Sequence, residues 1–203
     1  MSNETDLAYL RDIAESGQRA PMLGGRFFLS WGALAALALT LHWAILSDTL
    51  PVAHSMIGMI WLGYGVIGAL LSSILARGLR GKPGSGAVSN QGERAAWTGT
   101  TGLIFTWAIG VIAANATGYG HIILFDTIPL VAFAGYGIAF WVSHAMGGPG
   151  WMKPMAALSW VAAAAGLFLT GTAELYLFCA ACVLVLAVVP GLILVRQEPA
   201  AEL

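Results

Sequence analysis

Three acids and three histidines sit at matching ends of apolar stretches, and they are this chain's candidates for chemistry. Asp48, Asp126 and Glu174 stand near where hydrophobic segments begin, and His42, His54 and His121 lie close to the same boundaries. Imidazole and carboxylate together can bind a transition metal or relay protons. His42, His54 and His121 are the metal-ligating candidates, but they match no H-E-x-x-H spacing and would come from three separate loops. Hydrogen-bonded interfacial histidines are therefore expected rather than a metal or haem centre, and no cofactor is implied. His144, at the opposite boundary, reads as an interface residue.

The acids have a structural reading as well. Asp48-Thr49-Leu50-Pro51 and Asp126-Thr127-Ile128-Pro129 each resemble a helix start. Asp and Thr cap helix N-termini, carboxylates favour the positive end of the helix dipole, and proline is tolerated in the first turn. Capping is thus expected for Asp48, and also for Asp126 unless its helix starts earlier. An earlier start would submerge Asp126, and an ionisable group inside a membrane is costly and functional by default. In that case Asp126 becomes a protonatable gate, with Glu174 and His54 as helpers and Tyr64 and Tyr136 lining a path.

Cys179 and Cys182 are three residues apart, which places them on one helix face. They are embedded among Leu, Phe, Ala and Val, where the reactive thiolate is disfavoured. Inert packing is expected. Gly81-Lys82 lacks the hydroxyl residue and upstream glycine of a phosphate-binding loop. The chain also lacks a serine nucleophile elbow, a zincin motif and an acid-rich diphosphate motif, so no catalytic residue is assigned.

The elements that must position these residues are six apolar stretches, at 26–47, 52–76, 95–116, 122–145, 154–171 and 173–195. Crossing the hydrocarbon core takes about 20 apolar residues in a helix. Only 9% of the chain is charged and 58% is hydrophobic, far from the surface a soluble domain needs. Strand barrels would show short alternating segments instead. The expected fold is an all-α integral membrane protein, a six-helix bundle over residues 26–196. A cytoplasmic segment at 1–25 and a short tail at 197–203 flank it.

Charge orients the bundle. All nine Lys and Arg residues (Arg11, Arg19, Arg26, Arg77, Arg80, Lys82, Arg94, Lys153 and Arg196) fall on one side of the six-span reading. Basic residues in short loops stay cytoplasmic, so both termini are expected inside a bacterial inner membrane. Residues 5–19 read as a surface amphipathic helix, a collar or a docking element for another membrane or cytoplasmic protein. Arg77, Arg80, Lys82 and Arg94 lie in or beside a glycine-rich loop suited to anionic lipid headgroups. With a net charge of −1, nucleic acid is not an expected partner.

Further cues concern packing. Trp43 and Tyr119 mark one interface and Trp97, Trp141 and Trp151 the other, while Trp61, Trp107 and Trp160 fall mid-span and are expected between helices. Gly32 with Ala36, Gly65 with Ala69, Gly135 with Ala139, and Ala162 with Gly166 make small faces that permit close approach in lipid. Pro190-Gly191 is expected to bend the last span. The D-T-x-P echo, followed by Gly63-Tyr64-Gly65 and Gly135-Tyr136-Gly137, is compatible with duplicated helical hairpins or with biased composition.

Mid-span ionisable residues are scarce. The functional expectation is therefore a non-catalytic accessory, sensory or regulatory membrane module. A small-solute transporter or channel gated by Asp126 is the alternative, and a membrane enzyme or electron carrier ranks third.

Overall fold

The computed structural model describes residues 21–79, 82 and 84–198. The expected N-terminal helix at 5–19 lies outside the described residues, as do Arg11, Arg19 and Arg80. Among the described residues all regular structure is helical, and six helices are long and apolar enough to cross a membrane. The protein is a polytopic membrane protein by helix length and composition. The spans are α1 (Gly25–Leu46), α2 (Met56–Leu79), α3 (Val88–Ala116), a 3₁₀ turn Ile122–Asp126 running into α4 (Thr127–Ala145), and α5 (Met152–Gly166). The sixth comprises α6 (Glu174–Val183), a π-helical turn Leu184–Val188, and α7 (Val189–Gln197).

Helix α1 is central: it packs against α2 on one side and against α6, the π-helical turn and α7 on another. Helix α4 lies between α3 and α5. The core joins Ala36 and Leu39 of α1, Phe133 of α4, and Leu175, Cys179 and Val183 of α6. A second cluster at the cation-bearing end joins Phe28, Phe140, Met152 and Leu194.

The third span starts earlier than its hydropathy predicts. Helix α3 begins at Val88, so the expected basic loop from Arg77 to Arg94 shrinks to the link between Leu79 and Val88. Asn90 is the reason the polar first turns stay helical. Its Oδ1 accepts from the Leu23 N–H at 3.1 Å, and its Nδ2 donates to the carbonyls of Pro21 and Gly84 at 2.9 Å each. Glu93, one turn further on, is also buried and lies against Gly24 just before α1. Its Oε1 finds no hydrogen-bond partner among the described residues. The 29 residues of α3 extend about 43 Å at 1.5 Å per residue, longer than the roughly 30 Å core, so its polar turns project beyond lipid.

Close approach occurs at Gly32, Gly135 and Gly166, as the pattern suggested, and also at Gly191, which the small-residue faces did not include. A Cβ on Gly191 would lie 2.6 Å from the Leu29 nitrogen and 3.0 Å from the Gly25 carbonyl oxygen, so α1 and α7 touch through bare backbone. Gly32 meets Ala187, Gly135 meets Thr100, and Gly137 lies under the Trp160 indole. Gly65 faces open space, which corrects its expected packing role; on α2 it is Gly68 that receives a ring, that of Trp31. Pro190 stands in the first turn of α7, directly after the π-helical turn. Its missing N–H breaks the regular ladder there.

The two D-T-x-P segments differ in structure. Asp48 sits at φ 54° in an exposed turn and α2 starts only at Met56, so Asp48 does not cap that helix. Asp126 leads directly into α4. The two tyrosines of the echoed triplets do share a setting: Tyr64 meets Trp31 edge-on and Tyr136 meets Trp97 likewise, each at 5.2 Å.

Candidate functional site

A buried polar network forms at the end away from the described cations, and Asp126 is its centre. The acid ends the 3₁₀ turn, one residue ahead of α4, and its side chain makes no cap hydrogen bond. This corrects the capping expectation. An early helical turn carries the carboxylate inward instead, where it is 7% exposed. Its Oδ1 accepts from the Tyr176 hydroxyl at 2.6 Å, and its Oδ2 accepts from the Gly171 N–H at 2.7 Å. Gly171 has φ +82°, a left-handed conformation that glycine adopts without a side-chain penalty. Both carboxylate oxygens therefore have donors, as burial of a charge requires.

The network continues through aromatic contact. The His42 ring of α1 lies over the Tyr176 ring of α6, with centroids 3.6 Å apart. His42 Nδ1 accepts from the Trp61 Nε1–H of α2 at 3.1 Å. Four spans are thus tied together by Trp61, His42, Tyr176 and Asp126. Beside them, the Trp107 indole of α3 donates to Thr127 Oγ1 at 2.8 Å, fixing α3 to the start of α4.

The remaining candidates lie elsewhere. Glu174 occupies the first turn of α6 and is exposed, although Tyr176 is only two residues on. His54 is exposed with its Nε2 3.7 Å from Asp48 Oδ1. His121 is exposed and accepts from the Ile123 N–H at 3.3 Å, closing the 3₁₀ turn. Among the described residues no three His, Cys, Asp or Glu side chains group as metal ligands, so His42, His54 and His121 are not brought together. Tyr64 and Tyr136 both pack against the main core, between Trp31 and Trp61 and between Trp97 and Phe133 respectively. Cys179 is buried in that core, and Cys182 lines an apolar groove between α5 and the sixth span.

The cation-bearing end has its own tie. Glu198 Oε2 accepts from Lys82 Nζ at 2.9 Å and from Arg26 Nε at 3.0 Å. Lys82 is therefore paired within the protein. Arg94 donates to the Ser85 carbonyl at 3.1 Å, and Arg77 is exposed. Lys153 lies 5.7 Å over the Trp141 ring.

Sequence reasoning did not find Tyr176, Gly171 or Asn90, and it placed Trp61 only as a packing residue. Partners 45 and 50 positions from Asp126 leave no spacing signal. The cue available for Tyr176 was a hydroxyl in the first turn of an otherwise apolar span. Compared with protein-family models, curated proteins and solved structures, the chain matches none of them.

Proposed function

We propose that the protein is a non-catalytic membrane module, accessory, sensory or regulatory, whose outer-end network couples the positions of its helices. The observation that carries this reading is the occupation of Asp126. Both its oxygens are held by Tyr176 and Gly171, and its neighbours tie helices rather than surround a reacting group. Interhelical hydrogen bonds are among the few forces that hold helices together in lipid. The reading is tested by purifying the protein in mild detergent and identifying what accompanies it. A stoichiometric protein partner that dissociates on Asp126→Ala is expected; a bound substrate that is turned over would sink the reading.

In this reading the cation-bearing end faces the cytoplasm of a bacterial inner membrane, since all nine basic residues fall on that side and positive loops stay inside. Arg77, Arg80 and Arg94 meet anionic headgroups, and the segment at 5–19 is the docking element. Labelling of a cysteine beside Lys82 by an impermeant reagent from outside the cell would overturn the orientation.

A second reading is supported by the burial of Asp126 away from any capping role. As a protonatable gate it would serve small-solute or proton flux. Proteoliposomes with a trapped pH dye test it: gradient dissipation that disappears in Asp126→Asn favours transport, and equal rates in protein-free vesicles exclude proton flux.

A further inference from the structure

We propose that His42 is an acid-responsive latch, in which protonation of Nδ1 removes the acceptor for Trp61 and frees the adjoining end of α2 from α1. The proposal rests on the sensory reading above and names its stimulus, acidification on the side where His42 and Asp126 lie.

The geometry carries the argument. Trp61 Nε1–H donates to His42 Nδ1 at 3.1 Å, so that nitrogen must present a lone pair, and any ring hydrogen of the neutral form sits on Nε2. An imidazolium carries hydrogen on both nitrogens and accepts nothing. One added proton therefore sets two N–H groups against each other where a bond had been. Nothing else changes covalently; the proton comes from water at that face and returns there.

The consequence falls on α2. This helix finds its helix contacts chiefly on α1. Among the described residues, two side-chain hydrogen bonds join these helices: Trp61 to His42, and Trp31 to Ser72 nearer the cation-bearing end. Losing the first leaves α2 held at one end, so it hinges rather than detaches. Gly58, Gly63 and Gly65 of α2 have open space around them and do not obstruct the motion.

Charging a ring that is 7% exposed is costly, and the one charged group shown to act on His42, Asp126, offsets part of that cost. Asp126, at the start of α4, is held toward the ring by Tyr176, and a carboxylate there attracts an imidazolium. From α6 comes Tyr176, its ring 3.6 Å from that of His42 and neutral at physiological pH. The π-helical turn contributes only aliphatic residues. No described Lys or Arg stands at this end; the other ionisable bases there are His54 and His121, both exposed.

The test uses the full chain in lipid nanodiscs. Of the eight tryptophans, the indole N–H resonance lost in Trp61→Phe reports the bond. Lowering pH from about 7.5 to about 3.5, past the ordinary histidine range because burial disfavours the charged ring, should move that resonance upfield. Amide exchange in the first turns of α2 should quicken about fivefold relative to α4, as expected for loss of one hydrogen bond. His42→Asn keeps an acceptor oxygen near the Nδ1 position and does not titrate, so it should abolish both changes. Asp126→Asn should shift the transition to lower pH. A Trp61 resonance unmoved in the wild type, or a step that survives in His42→Asn, overturns the latch. An unshifted transition in Asp126→Asn overturns its coupling to the acid. Failure of the module reading shows separately, as absence of a partner in the pull-down, while the resonance still reports on His42.

Discussion

The Tyr176 hydroxyl donates to Asp126 Oδ1 over 2.6 Å, joining the first turn of α6 to the start of α4 across 50 positions of chain. Both groups are buried within the protein, and a polar atom left unpaired there is costly. The bond also sets the ring of Tyr176 under His42, so one hydroxyl positions two further helices.

Removing that hydroxyl should weaken the bundle. Tyr176→Phe is expected to lower stability in detergent by about 1–2 kcal/mol, the range for an interhelical bond to a charged acceptor. Asp126→Ala, which strands both donors, should lower it further. Thermal melts of the two single variants and the double variant check this. Fully additive losses would mean that the pair does not interact.

Backbone contact between α1 and α7 gives a second test. Gly191→Ala places a methyl against the Leu29 nitrogen, and relief requires the helices to part, with a loss of about 1–3 kcal/mol. Gly65→Ala, in open space, should leave the melting temperature unchanged. Equal melts for both variants would remove the close approach.

At the cation-bearing end, Glu198→Gln should loosen the junction of α1, the α2–α3 link and the chain end. Glu198 is 4% exposed at its side chain and serves both Arg26 and Lys82. A loss of about 1–3 kcal/mol is expected. Limited proteolysis after Leu194 should become faster in the variant; an unchanged digestion pattern would argue that the ion pairs do not hold the segment.

The two cysteines should differ in reactivity. Cys179 is fully enclosed, whereas Cys182 is half-buried on an apolar groove. An uncharged, lipid-soluble maleimide should label Cys179→Ser faster than Cys182→Ser, measured by mass spectrometry of the intact protein. Equal labelling of the two variants would contradict the packing of α6.

The span limits were legible wherever apolar residues ran unbroken, because desolvating a charged segment is costly. The start of α3 was not legible, since Ser89, Asn90, Gln91, Glu93 and Arg94 read as loop. Only the side-chain bonds of Asn90 to Pro21, Leu23 and Gly84 show why that segment stays helical. The Asp48 and Asp126 segments look alike in sequence, yet one occupies an exposed turn and the other a buried network. The difference arises after them: a link of several residues follows Asp48, while Asp126 enters its helix at once.

What the sequence alone determined is the six-span helical class, because hydrophobic length is a local property that each segment carries by itself. The tertiary structure decided which acid is buried, which histidine accepts a hydrogen bond, and which glycine meets backbone. Those outcomes depend on helix rotation and on partners far along the chain, and apolar spans without a strong polar face leave rotation unspecified until neighbouring helices pack.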